Sequence, residues 1–325
     1  MKSHPLLPFF LALGLILVGC LPSETVPAAP TRGPADPLPL RSSTPTVLVT
    51  AVPTEYSANP TAAYAAPTGH LLTPTDRPTT PTPFARPTLG DCEEKTGKLE
   101  RLQIDSKLIA KPLFFQLYLP PCYNPRRATR YPLLVLLHGQ NTDDLQWVHL
   151  GMVNAADRLI ASSEIMPFIM ALPYEEYWLK DPPDSVFGRA IMEELFPWLD
   201  QHYLTCTERS CRAIGGLSRG AGWAIHMGFT YWQQVGSIGA HSLPPFWGDS
   251  QQLNSWVKTI PAGQLPRIYM DIGKDDQFLK PASEFETLLA QNLGQLTWVV
   301  NDGKHDEAYW QAHLEEYLKW YNQGW

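Results

Sequence analysis

The sequence predicts an α/β fold: a mainly parallel sheet with helices on both faces, preceded by a disordered stalk. Three observations carry that expectation. Continuous apolar runs such as Tyr131-Pro132-Leu133-Leu134-Val135-Leu136-Leu137-His138 have the pattern of strands buried on both faces. Segments of helical spacing alternate with those runs, as a parallel sheet requires. The prolines are uneven: of 32 in the chain, 15 fall in residues 21–91.

From the N-terminus, Lys2 precedes an apolar run over residues 9–18. That run is shorter than the roughly 20 residues a spanning helix needs, and it fits a signal-peptide core. It ends in Leu17-Val18-Gly19-Cys20, which resembles a bacterial lipobox. Residues 1–20 are therefore expected to be a lipoprotein signal peptide, with cleavage before Cys20 and a lipid on its thiol. The protein would then be extracytoplasmic and anchored to the bacterial cell membrane. The competing reading is an ordinary signal peptide or an uncleaved anchor, with Cys20 there by chance. Residues 21–91, rich in Pro, Thr and Ala, cannot bury enough apolar surface to offset their ordering entropy. They are expected to be a disordered, extended linker.

A single domain is expected over residues 92–325. Strands are expected at 99–105, 113–119, 131–138, 168–172, 211–215, 235–240, 267–272 and 296–300. Helices are expected at 152–162, 186–203, 220–231, 282–292 and 305–321. No internal repeat is visible. The formal charge of −7 argues against a general affinity for nucleic acid, which needs a basic surface.

With Cys20 lipidated, Cys92, Cys122, Cys206 and Cys211 remain, an even number that suits two disulfides in an exported protein. Three pairings are possible. Cys206–Cys211 would close a short loop before a strand. Cys92–Cys122 would pin the first residues of the domain to the end of an early strand. Four free thiols are the alternative. No Cys-x-x-Cys spacing or neighbouring His supports a zinc site, so neither metal nor cofactor is expected.

Gly216-Leu217-Ser218-Arg219-Gly220 lies between a strand and an apolar helix. Gly-x-Ser-x-Gly in that context is a nucleophile elbow, whose sharp turn leaves no room for flanking side chains. A serine hydroxyl needs a base. His305, in Asn301-Asp302-Gly303-Lys304-His305, follows a strand and precedes the last helix. His313 lies inside a helix and His241 follows an earlier strand, so both fit less well. The acid that orients such a base should follow the second-to-last strand. There stand Asp275 and Asp276, in Gly273-Lys274-Asp275-Asp276, and the Gly-x-x-Asp spacing favours Asp276. Oxyanion donors are expected from the backbone N–H of Arg219 and of Gln140, the latter in the loop His138-Gly139-Gln140. His138 is assigned a structural role there.

Together these residues resemble the esterase D branch of the α/β-hydrolase fold. That group includes feruloyl and acetyl-xylan esterases, enterochelin esterases, S-formylglutathione hydrolases and mycobacterial mycolyltransferases. The resemblance covers roughly residues 99–320. It rests on Tyr118-Leu119-Pro120-Pro121, Leu137-His138-Gly139, residues 147–151, the Ser218 motif, Gly273-Lys274-Asp275-Asp276-Gln277-Phe278 and Gly303-Lys304-His305. It implies that Asp276 is the acid. Arg219 departs from the Met of many members and puts a charge beside the pocket. The lipobox, stalk and cysteines are unlike cytosolic S-formylglutathione hydrolases and argue against glutathione thioesters as substrates.

The expected function is hydrolysis of small-molecule or carbohydrate esters through an acyl-enzyme. Trp223, Tyr231, Trp232, Phe246, Trp247 and Trp256 either line a groove for sugars or aryl groups or pack the core. Two alternatives stay open: an acyltransferase of the same fold, and a catalytically silent surface-binding lipoprotein. The intact Ser, Asp and His argue against the second.

Overall fold

Eight strands form one sheet in the order β1-β2-β4-β3-β5-β6-β7-β8. They are β1 Lys98–Ser106, β2 Lys111–Leu119, β3 Leu133–Leu137, β4 Ile169–Pro173, β5 Arg212–Leu217, β6 Ser237–His241, β7 Arg267–Gly273 and β8 Leu296–Asn301. β1 and β2 are antiparallel, and β3 to β8 run parallel. The computed structural model describes residues 86–325, apart from 91, 127, 177–178, 262 and 293–295. The described residues fall within one compact unit, Asp76–Trp325. The expected signal peptide, the lipidated Cys20 and the stalk up to residue 85 lie outside them. No helix among the described residues is long and apolar enough to cross a membrane.

Alternation along the strands divides the core between the two faces. Leu133, Val135 and Leu137 join one apolar cluster, and Leu134 and Leu136 join the other. All five are at most 1% exposed, and each such side chain stabilises the fold by about 1.5–3 kcal/mol. One face is covered by α3 Phe187–Ala190, α4 Phe196–His202, α5 Arg219–Thr230, α6 Asp249–Thr259 and α7 Leu279–Ala290. The other is covered by α1 Gln146–His149, α2 Met152–Ala161 and α8 Glu307–Gln323.

One element differs from expectation. Residues 186–203 are not one regular helix, because a π-helical turn, Ile191–Leu195, joins α3 to α4. Pro197 stands in the first turn of α4 and has no N–H for an i→i−4 bond, which the wider turn accommodates. Helix α6 lies where a helix separating two strands was expected, but without predicted bounds. Of its residues Asp249 and Leu253 are fully buried and Trp256 and Val257 are half-buried against the core, so its apolar stripe begins only at Leu253.

Disulfides join Cys92 to Cys122 and Cys206 to Cys211. The first pair and Glu94 bring three ligand-type atoms within 4.8 Å, but the two sulfurs are bonded to each other and are not thiolate ligands.

Candidate active site

Ser218 sits between β5 and α5 with φ 51° and ψ −122°, a strained backbone for a residue with a side chain. Its neighbours permit the turn. A Cβ on Gly216 would collide with the backbone of Gly220, and a Cβ on Gly220 would collide with the carbonyl of Leu137. The turn lifts the Ser218 hydroxyl above the carboxyl ends of the parallel strands, where ligands bind in open α/β sheets.

His305 Nε2 lies 2.9 Å from Ser218 Oγ, and His305 Nδ1 lies 2.9 Å from Asp276 Oδ2. The tautomer follows from the partners. The carboxylate can only accept, so Nδ1 carries the proton and Nε2 is free to accept from the serine. The Asp276 side chain is fully buried and also accepts from the Phe278 N–H at 2.8 Å. Burial alone would raise its pKa. The hydrogen bonds from His305, Phe278 and Ser242 hold it below the ordinary carboxylate value. Phe278 and Trp310 stand edge-on to the imidazole, with ring centroids at 4.9 and 5.1 Å. Asp275 is exposed.

The acid and base loops are held against each other. Lys274 N–H donates to Asn301 O at 2.8 Å, and Asp275 N–H donates to Gly303 O at 2.9 Å. Asp306 caps α8 by accepting from Tyr309 N–H, so His305 is the last residue before a fixed helix start.

Gln140 and Arg219, the expected oxyanion donors, line a cleft of about 390 Å³ with Ser218. Arg219 opens α5, so its N–H is among the helix's unpaired donors. Gln140 follows β3 in a braced loop. Gly139 N–H donates to Gln146 Oε1 at 2.8 Å, and Trp147 Nε1–H donates to Leu137 O at 3.0 Å.

Arg219 borders the pocket, as expected from the sequence, but its charge there is paired. Its guanidinium donates to both Glu175 oxygens at 2.8 Å, to Lys180 O at 2.7 Å and to Asp181. Burial opposes its charge, but the two carboxylates outweigh burial and raise its pKa. Burial likewise pushes the Glu175 carboxyl up, and Arg219 limits the rise. Sequence reasoning missed Glu175 and Asp181. Both lie in the loop after β4, and their only available signal was that a buried arginine needs an anionic partner.

Of the other histidines, His138 is buried and bonded to backbone groups of two loops. His241 accepts from the Ser218 N–H through its backbone O at 2.9 Å, but its ring, 1% exposed, pairs with Asp271 at 2.6 Å and stacks on Tyr317 instead of reaching the serine hydroxyl. His313 pairs with Glu316 on α8. The aromatic residues divide as well. Trp223 is core, Tyr231, Trp232 and Trp256 pack partly buried against it, and Phe246 is buried where it lines the cleft. Trp247, at the cleft, is 87% exposed.

A mainly parallel eight-stranded sheet with this strand–serine–helix turn defines the α/β-hydrolase class. Residues 106–321 match the model of the Esterase family. The chain belongs to that family of carboxylic ester hydrolases, on the esterase D-like branch. It is 28% identical over 134 residues to an endo-1,4-beta-xylanase/feruloyl esterase of Xylanibacter ruminicola, a stretch that is 38% of this chain and 18% of that one. A solved ferulic acid esterase superposes with TM-score 0.63 at 23% identity, over 71% of this chain and all of the other. An S-formylglutathione hydrolase of Staphylococcus aureus superposes with TM-score 0.58 at 16% identity, over 70% of this chain and 97% of the other. These superpositions establish the shared fold.

Proposed function

We propose that this protein is a serine esterase that works through an acyl-enzyme on Ser218. The observation that carries the proposal is the unbroken line Ser218 Oγ–His305–Asp276, with both contacts at 2.9 Å. His305 Nε2 takes the Ser218 proton as Oγ attacks the ester carbonyl carbon. The carbonyl electron pair moves to oxygen, where the N–H groups of Gln140 and Arg219 stabilise it. Collapse breaks the ester C–O bond, and His305 gives its proton to the leaving alcohol. Water then repeats the sequence: His305 takes its proton, the hydroxide attacks the acyl carbon, and Ser218 leaves with the proton returned. Asp276 stays ionised and stabilises the imidazolium in each half.

Aryl or carbohydrate esters are the proposed substrates. The exposed Trp247, with Leu179 and Phe278, offers flat apolar surface beside Ser218. A feruloyl esterase among the relatives agrees with that choice. The proposed setting is extracytoplasmic, with residues 92–325 as the enzyme domain, residues 21–91 as linker and Cys20 as lipid anchor. Two disulfides suit an oxidising compartment.

The test uses Ser218→Ala. Wild type should hydrolyse p-nitrophenyl acetate and methyl ferulate and be labelled by a fluorophosphonate probe. The variant should keep the fold by circular dichroism and lose all three. Full hydrolysis by the folded variant would refute the proposal.

A further inference from the structure

Glu175 lies in the loop after β4 and is 4% exposed. Buried carboxylates are rare without a purpose, because burial costs several kcal/mol per ion before pairing. This one touches both halves of the proposed oxyanion hole.

Its side chain holds the first half. The two carboxylate oxygens accept from Arg219 Nε and Nη2 at 2.8 Å each, a bidentate geometry that fixes position as well as charge. The guanidinium lies over the rings of Phe246 and Trp223, at 5.3 and 5.8 Å, and both rings are buried. Arg219 is therefore immobilised at both ends, by the helix backbone and by Glu175. Its N–H at the start of α5 has little freedom to swing.

Its backbone holds the second half. The Glu175 N–H donates to His138 Nε2 at 2.8 Å. Nε2 must then be unprotonated, which leaves the proton of the neutral ring on Nδ1. His138 Nδ1 lies 2.7 Å from Gly139 O, so it donates there. Thr142 Oγ1 donates to the same oxygen at 2.9 Å. Gly139 O and the Gln140 N–H belong to one planar peptide unit, in which carbonyl and N–H point in opposite directions. Fixing the oxygen from one side aims the N–H to the other, toward the cleft that Gln140 and Ser218 share. The loop that carries Glu175 is itself tied to the sheet, since Tyr174 N–H donates to Phe114 O at 2.9 Å.

We infer that Glu175 is the positioning residue of the oxyanion hole, aligning the Arg219 and Gln140 N–H groups together through its carboxylate and its backbone N–H. The inference rests on the Ser218 esterase proposal. Glu175 touches neither Ser218 nor His305 in the hydrogen-bond pattern, so its effect on rate comes through Arg219 and His138.

The experiment compares Glu175→Gln and Glu175→Asp with wild type. Aspartate keeps the charge but is one methylene too short for the bidentate contact, and it guards against a Glu175→Gln variant that fails to fold around an uncompensated Arg219. Two quantities are read in each folded variant: kcat and KM for p-nitrophenyl acetate, and the Ki of an aryl trifluoromethyl ketone, whose serine adduct carries an oxyanion. A deleted oxyanion donor costs about 10²–10³-fold, so a misaligned pair should lower kcat by about 10- to 100-fold. The ketone's Ki should rise in parallel while KM stays within about threefold. Wild-type kcat and Ki in folded Glu175→Asp would overturn the inference, as would a rise in KM with kcat and Ki unchanged. Loss of activity in Ser218→Ala beside full activity in the Glu175 variants would sink this inference alone. Activity retained in Ser218→Ala would sink the esterase proposal beneath it.

Discussion

Asp275 and Asp276 are adjacent in sequence but hold different things together. Asp275 uses its backbone N–H to bond Gly303 O at 2.9 Å, joining the loop of the acid to the loop of the base. Asp276 uses its carboxylate to bond His305 itself.

The two should therefore separate on mutation. Asp276→Asn keeps the shape but lets the amide favour the wrong imidazole tautomer, so kcat should fall by about four orders of magnitude. Asp275→Asn keeps its backbone bond and its exposed side chain, so kcat should stay within about twofold. Steady-state kinetics on p-nitrophenyl acetate reads both. Asp276 also links stability to pH. Its folded pKa is depressed, so its contribution is present above the unfolded value, 3.8, and is lost as pH falls through the lower native value. Acid titrations of wild type and Asp276→Asn should diverge in that window.

His138 gives a second pH dependence, in a higher window. Burial holds its pKa below the ordinary 6.5, as its acceptor role toward Glu175 N–H requires. The unfolded chain takes up a proton at this residue as pH falls through about 6.5, while the folded chain does not until lower pH. Stability should decline with falling pH between those two values and flatten below them. His138→Gln should remove this part of the decline, measured as the difference in urea midpoint between pH 7.5 and 5.5.

The paired state of Arg219 predicts charge selectivity. Among the described residues lining the cleft, Arg219 is the one cation, and its donors already face Glu175 and Asp181. A carboxylate-bearing acyl group, as in a succinate monoester, should be hydrolysed less efficiently than the neutral acetyl ester. Asp181→Asn should narrow the gap by up to about fivefold, the scale of an exposed charge contact of up to about 1 kcal/mol. The Asp181 side chain is 55% exposed, so the gap should also shrink in high salt. Equal kcat/KM for the two esters at low salt would refute this.

Much of the sheet was legible because strands such as β3 and β4 are buried along their whole length and carry unmixed apolar residues. Helix α6 was less so, because its first turn, Asp249-Ser250-Gln251-Gln252, is polar and only Leu253, Trp256 and Val257 carry an apolar period. In the site, chain order and loop placement were enough to bring Ser218, Asp276 and His305 into one candidate set, since each follows its own parallel strand. Glu175 was beyond such reasoning. It stands 44 residues from Arg219, and only folding brings them together. The same holds for His138, where the residue was visible but the partner that fixes its tautomer was not.

The Cys92–Cys122 bond closes a covalent loop that contains both β1 and β2. Tension applied to the chain ahead of Cys92 would pass across the sulfurs directly to Cys122. The edge strand β1, paired on one side only, would carry none of it. A pull on the chain at Cys92 would thus be met by a covalent rivet, leaving the hydrogen bonds of the β1–β2 hairpin unloaded.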